Sequence, residues 1–317
     1  MNDLERKDIE LLSFHSDMDR KDIQTSLEKH TYPNQDAWAS FIRITLITLA
    51  IGFMAAGIVF FFAYNWADLD KLIKLGIVQG LVIGCIILML VLRIDPLYKQ
   101  IILTAASLLV GVLFAVFGQV YQTGADAYDF FLAWTIFITL WVLVANFPPL
   151  WLCYIGLVNL TIFLFYEQVA QHMDFIYVAS GIFVLNAAIL ALSVWLKEQQ
   201  GRSIPTYFTN LLGLAAAIWS IYANLFWILE ARNLDAPMIL AATALFYALG
   251  IRYGIRKKSA FYLGLIPFSC VIILSGVLIK ISDSTGMVLF ISAFIITSVS
   301  FIVWNILKMQ RRVHNER

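Results

Sequence analysis

Charge is what this chain lacks most. Of its 317 residues, 14% are Asp, Glu, Lys or Arg, where a soluble domain carries about 25%. That shortage argues against an ordinary water-soluble globule. Histidine is nearly as scarce, with His15, His30, His172 and His314 the whole set. No HExxH, GxSxG or Walker-type loop occurs, so the metalloprotease, serine-hydrolase and nucleotide-phosphate motifs are missing. His172 and Asp174 stand close together in one short loop and read as loop polarity. No catalytic residue, metal ligand or cofactor is assigned from the sequence. The three cysteines, Cys85, Cys153 and Cys270, form no CxxC pair; zinc and redox-pair chemistry lack their spacing, and the thiols are expected to pack as small buried groups. Basic residues are dispersed rather than clustered, which gives nucleic acid no footprint.

What is present is apolar. Hydrophobic residues make up 61% of the chain, and they come in blocks. A helix needs about 20 largely apolar residues to cross a hydrocarbon core of about 30 Å. Blocks of that kind are read at 42–64, 72–92, 100–120, 128–146, 149–166, 175–196, 206–229, 237–251, 260–279 and 286–307. The fourth and eighth are the shortest or most weakly bounded, and either one turning back within the membrane would change the count. Strand-like alternation is absent, which disfavours a β-barrel. The expected fold is all-α: a polytopic transmembrane bundle of about ten spans.

The domain plan is a soluble cytoplasmic segment at 1–40, a transmembrane domain at 41–307 and a basic cytoplasmic tail at 308–317. The opening residues have no early apolar core of the kind a signal peptide needs, so the first span is expected to direct insertion. Residues 1–40 hold nine acidic and five basic residues. Ile9, Leu11, Leu12 and Phe14, then Met18, Ile23 and Leu27, fit the inner faces of two short helices. This segment reads as a solvated tail or as the dock for a protein partner. With both termini in the cytoplasm, 18 of the 22 Lys and Arg fall on that side, as the positive-inside rule requires. Acidic residues gather in the opposite loops, including Asp68, Asp70, Asp126, Asp129, Glu167, Asp174, Glu230 and Asp235. They are either ordinary solvated polarity or a vestibule that concentrates cations.

Inside the spans the polarity comes from amides: Gln79, Asn159, Asn186, Asn210, Asn224 and Asn305. Amides bond between helices in a membrane for about 1 kcal/mol or less, and packing between helices is their expected role. Without a midplane carboxylate or histidine, a proton relay of the usual kind has no carrier. Gly76, Gly80 and Gly84 repeat at four-residue spacing, which suits close helix packing within the chain or with a second copy. Pro267 is expected to kink the ninth span.

One segment stands out. From Phe117 to Phe131 the chain reads FGQVYQTGADAYDFF, crowding Gln119, Tyr121, Gln122, Asp126 and Tyr128 at one membrane boundary. An aromatic belt with a capped turn accounts for this, and so does a polar binding site. Asp126, Asp129 and Glu167 are also oxygen donors of the type Mg²⁺ or Ca²⁺ takes, although their spacing does not demand a metal. The stretch resembles the bacterial predicted membrane proteins grouped as domain of unknown function 2157. Phe60 through Asn65-Trp66, followed by Asp68, Lys71 and Lys74, resembles that family's first helix exit, and Trp151-Leu152 through Asn159-Leu160 a later run. The resemblance covers about residues 40–170. It implies a multi-pass protein of the bacterial inner (cytoplasmic) membrane and no particular activity.

The functional expectation is a small-solute or ion transporter or sensor with a polar outward-facing site formed by Asn65, Trp66, Gln119, Tyr121, Gln122, Asp126 and Tyr128. The alternative is a non-catalytic subunit or scaffold of an envelope complex, held through residues 1–40. An enzyme acting on lipid through surface carboxylates is a third reading. The lipid bilayer is the one partner common to all of them.

Overall fold

The structure is a computed structural model. It describes residues 68–121, 124, 126–201, 203–230, 236–281 and 285–315, with isolated positions between 38 and 66. The two short helices expected within residues 1–40, and most of the first span, lie outside the described residues.

Among the described residues from Lys71 onward, nine helices follow one another: α1 Lys71–Val91, α2 Pro96–Tyr121, α3 Ala127–Ala145, α4 Pro148–Gln168, α5 Phe175–Gln199, α6 Thr206–Leu229, α7 Ala236–Arg256, α8 Ala260–Ile281 and α9 Thr285–Asn315. Each contains a stretch long and apolar enough to span a bilayer. They match the second to tenth expected spans. The two least secure are full helices: α3 has 19 residues, and α7 has 21 and runs on to Arg256. Pro267 lies inside α8, and the helix continues through it. The last helix reaches Asn315, so the start of the basic tail is helical.

Local chemistry explains the tight connections. Asn146 ends α3 at φ 43 and ψ 44, the left-handed conformation asparagine tolerates, and its N–H donates to Val142 O. Two residues later Pro148 and then Pro149 open α4, where a missing N–H is harmless and φ is already set. Between α7 and α8, Lys258 takes φ 49 while Ser259 N–H donates to Gly254 O at 2.8 Å, closing the end of α7.

The chain divides into two compact units, residues 1–74 and 75–317. In the first, the Lys74 ammonium stands 5.5 Å from the centre of the Trp66 ring. In the second, one apolar cluster joins Val82 of α1 with Leu103 and Val110 of α2, Ile138 and Val142 of α3, and Leu150 of α4. Another joins Ile155 of α4, Leu190 of α5, Phe208 and Leu212 of α6, and Tyr262 of α8. Lipid is as apolar as leucine, so these helices are held by close fit and hydrogen bonds rather than by escape from water. Gly111 shows the fit: a Cβ there would overlap the Trp134 ring. The bare backbone lets the indole lie against α2 and donate its N–H to Ser107 O at 2.8 Å.

At Gly76, Gly80 and Gly84 an added Cβ meets nothing within 4 Å among the described residues. The close approaches lie elsewhere, at Gly111, Gly213, Gly250 and Gly276. The cysteines are less enclosed than expected. Cys153 is exposed, and Cys85 and Cys270 are half-buried. A small weakly polar thiol faces lipid at little cost, so nothing drives Cys153 inward.

Candidate functional site

Among the described residues, every buried polar side chain is Ser, Thr or Asn, apart from the hydroxyls of Tyr247 and Tyr262. No Asp, Glu, Lys, Arg or His is among them. That follows from the solvent, since a charge in hydrocarbon needs a partner or a water-filled cavity. The neutral groups are paired across helices in several places. Thr135 of α3 lies 3.4 Å from Thr161 of α4, and Thr139 lies 3.0 Å from the Tyr154 hydroxyl. Asn159 of α4 and Asn186 of α5 exchange two amide hydrogen bonds, each 3.1 Å. Asn186 also donates to Ile182 O of its own helix.

The densest network joins α6, α7 and α8. The two amide protons of Asn224 go to Ser220 O at 2.7 Å and Thr243 Oγ1 at 2.9 Å. Ser220 donates to Ala217 O, and its oxygen lies 2.9 Å from the Tyr247 hydroxyl. Ser269 of α8 is within hydrogen-bond reach of that same hydroxyl. All five side chains are buried; Thr243, Tyr247 and Ser269 fall near the middle of α7 and α8, and Ser220 and Asn224 in the second half of α6. Asn224 Oδ1 is left over: it is enclosed and has no hydrogen-bond partner among the described residues. An amide oxygen has two lone pairs, and leaving a buried acceptor unused costs about 1–3 kcal/mol.

A cavity of about 400 Å³ borders α4, α5 and α6, lined by Asn159, Phe163, Phe175, Trp219 and Tyr222 among others. Its wall is aromatic apart from Leu160 and the Asn159 amide. Trp219 and Tyr222 flank Ser220 in sequence, so α6 carries the cavity on one side and the hydroxyl–amide network on another.

The residues singled out from the sequence are spread more widely. Gln119 and Tyr121 are exposed at the end of α2, where Tyr121 packs on Phe117 with ring centres 4.7 Å apart. Asp126 precedes α3 in extended backbone, and its side chain makes no cap hydrogen bond. Its carbonyl accepts the Asp129 N–H at 3.1 Å. Tyr128 is tied to α4: its N–H donates to Gln168 Oε1 at 2.7 Å, and its ring lies 5.1 Å from Phe165. Gln168 was not foreseen, because nothing in its own neighbourhood marks it. Asn65 and Gln122 lie outside the described residues, and Trp66 belongs to the first compact unit. Among the described residues no three His, Cys, Asp or Glu side chains gather as a metal ion would require.

Ser220, Thr243, Tyr247 and Ser269 were also missed. Their signal was the spacing of small residues on α6, Gly213 to Ala217 and Ala216 to Ser220, the small-xxx-small pattern of close helix contact.

Over residues 17–151 the chain matches the model of the family described as Predicted membrane protein (DUF2157), in agreement with the resemblance drawn from the sequence. The match takes in part of the N-terminal segment and stops at Trp151. No curated protein and no solved structure matches the chain.

Proposed function

We propose that this membrane protein binds a small polar solute within its helices, as a transporter or sensor. The observation that carries the reading is the unused acceptor of buried Asn224, whose amide protons go to Ser220 O and Thr243 Oγ1. Thr243 accepts from Asn224 and keeps its own proton to donate; with Asn224 Oδ1 it offers a solute one donor and one acceptor. An ion would bring its charge into a core whose buried polar residues are all neutral, at heavy desolvation cost. An uncharged solute, such as a small polyol or amide, matches these groups better. The polar boundary around Gln119, Tyr121, Asp126 and Tyr128 then serves as the outer approach, which supposes the orientation expected from the positive-inside rule. The membrane concerned is, on the same reading, the bacterial inner membrane.

The test is solute flux. Proteoliposomes holding the full chain would be mixed with glycerol or urea in a stopped-flow instrument, and swelling followed by light scattering. Faster swelling than in protein-free vesicles is expected, with Asn224→Leu returning to the protein-free rate at equal protein content. Stabilisation by a solute without flux assigns a sensor. The reading is overturned if small solutes neither speed swelling nor raise the unfolding temperature.

A further inference from the structure

A trench on the second unit runs between α5 and α7, with Tyr262 of α8 in its floor. Its volume is about 530 Å³. On α5 it follows Val184, Ala187, Ala188, Ala191 and Trp195; on α7 it follows Ala242, Leu245, Leu249 and Tyr253. The alanines make the bed, and the larger side chains make the banks. Ala188 and Ala191 are exposed rather than packed. Phe183 and Phe246 meet across one end with ring centres 5.5 Å apart. Glu198 and Lys257 close the other with a 2.8 Å ion pair.

The trench therefore has two chemistries. From Phe183 to Glu198 it is apolar and spans about 22 Å at 1.5 Å per residue. Then the same two helix faces turn charged. On α7 the series 242, 246, 249 and 253 continues at helical spacing to Arg256 and Lys257, beside Arg252 and Lys258. On α5 it ends at Glu198, with Lys197 adjacent. Lys257 and Arg256 thus stand by the one carboxylate where the apolar run stops, with Lys197, Arg252 and Lys258 next to them in sequence.

We propose that this trench holds one anionic phospholipid from the leaflet at its basic end. An acyl chain reaches about 15 Å, half of the hydrocarbon thickness, so the 22 Å run accommodates it without requiring the Phe183–Phe246 contact to open. The phosphate lies against Arg256 and Lys257, where basic groups between membrane helices take lipid head groups. Lys257 can serve the lipid and Glu198 together, because an ammonium has three protons to donate. A free anion would use the cations but not the trench. A neutral lipid would use the trench but not the cations.

Native mass spectrometry of the full chain, released from vesicles of equal phosphatidylglycerol and phosphatidylcholine with matched acyl chains, reads the occupancy. One phosphatidylglycerol should stay bound in preference to phosphatidylcholine. Arg256→Gln with Lys257→Gln should lower that preference by about thirtyfold, in line with the worth of two basic residues at an anionic surface. Ala188→Phe with Ala191→Phe keeps every charge and fills the trench bed, and should release the lipid as well. Arg93→Gln with Lys99→Gln, at the same end of the helices but away from the trench, should leave it bound. Equal retention of both lipids by the unaltered protein overturns the proposal. So does retention of phosphatidylglycerol by the trench-filling variant, or equal loss in the Arg93 and Lys99 control.

Discussion

Helices α6 and α9 are both apolar enough to cross a membrane, yet their apolar stretches are 44% and 6% buried. The buried one is the smaller and more polar. Facing its neighbours, α6 presents Thr209, Gly213, Ala216, Ala217, Ser220, Ala223 and Asn224 together with Phe208, Leu212 and Ile228. By contrast α9 spreads Val288, Leu289, Phe290, Ile296, Phe301 and Trp304 outward and buries Ile302. In water the arrangement would be inverted, with the large apolar side chains inside. Lipid removes that drive, so what distinguishes an inner helix is how closely its backbone can be approached and how many hydrogen bonds it can share.

The largest effect should come from blocking that approach. A Cβ at Gly213 would stand 2.9 Å from the Tyr262 ring, whose hydroxyl donates to Thr209 O at 2.8 Å. Gly213→Leu should cost about 3 kcal/mol or prevent assembly, because overpacking forces backbone shifts. Ala293→Leu on exposed α9 should change stability by no more than about 0.5 kcal/mol. Reversible unfolding in mixed micelles measures both, and similar losses at the two positions would break the distinction between inner and outer helices.

Gly111→Ala extends the test to the other half of the bundle. One methyl group there displaces Trp134 and with it the indole hydrogen bond to Ser107 O. A loss of about 2 kcal/mol is expected, with Trp134→Phe partly restoring stability in the double variant. Were the glycine important only for backbone freedom, the second substitution would rescue nothing.

These positions also show what the sequence could and could not reveal. The second to tenth spans were legible because length and hydropathy are set by the bilayer, which every helix meets alike. Asn159, Asn186 and Asn224 were recognisable as interhelical groups, since an amide in a span needs a partner. Which partner it finds depends on how the helices are rotated, and α5 exposes no residue that announces Asn159. The glycine stripe on α1 was conspicuous by its period, whereas Gly111 stands alone and owes its importance to an indole 23 residues away in the next helix. The trench between α5 and α7 was illegible for the same reason. Its banks come from helices separated by a third, and the basic residues at its end entered the sequence reading only as part of the positive-inside count.

The smallest predicted effect isolates surroundings from local structure. Asn186 and Asn305 make the same bond within their helices, to Ile182 O at 2.8 Å and to Phe301 O at 2.9 Å. Asn186 is wholly buried against Asn159, and Asn305 is exposed on α9. Asn186→Leu strands the Asn159 amide beside the aromatic cavity and should cost about 1–2 kcal/mol. The matching double-mutant cycle should return a coupling of roughly 0.6–1.7 kcal/mol, the range found for such bonds in membranes. Asn305→Leu removes the same local bond and leaves no partner stranded, so its effect should stay within about 0.5 kcal/mol. If the two single variants lose equally, the bond to the helix's own carbonyl is what matters, and the contrast between α6 and α9 reflects side-chain size alone.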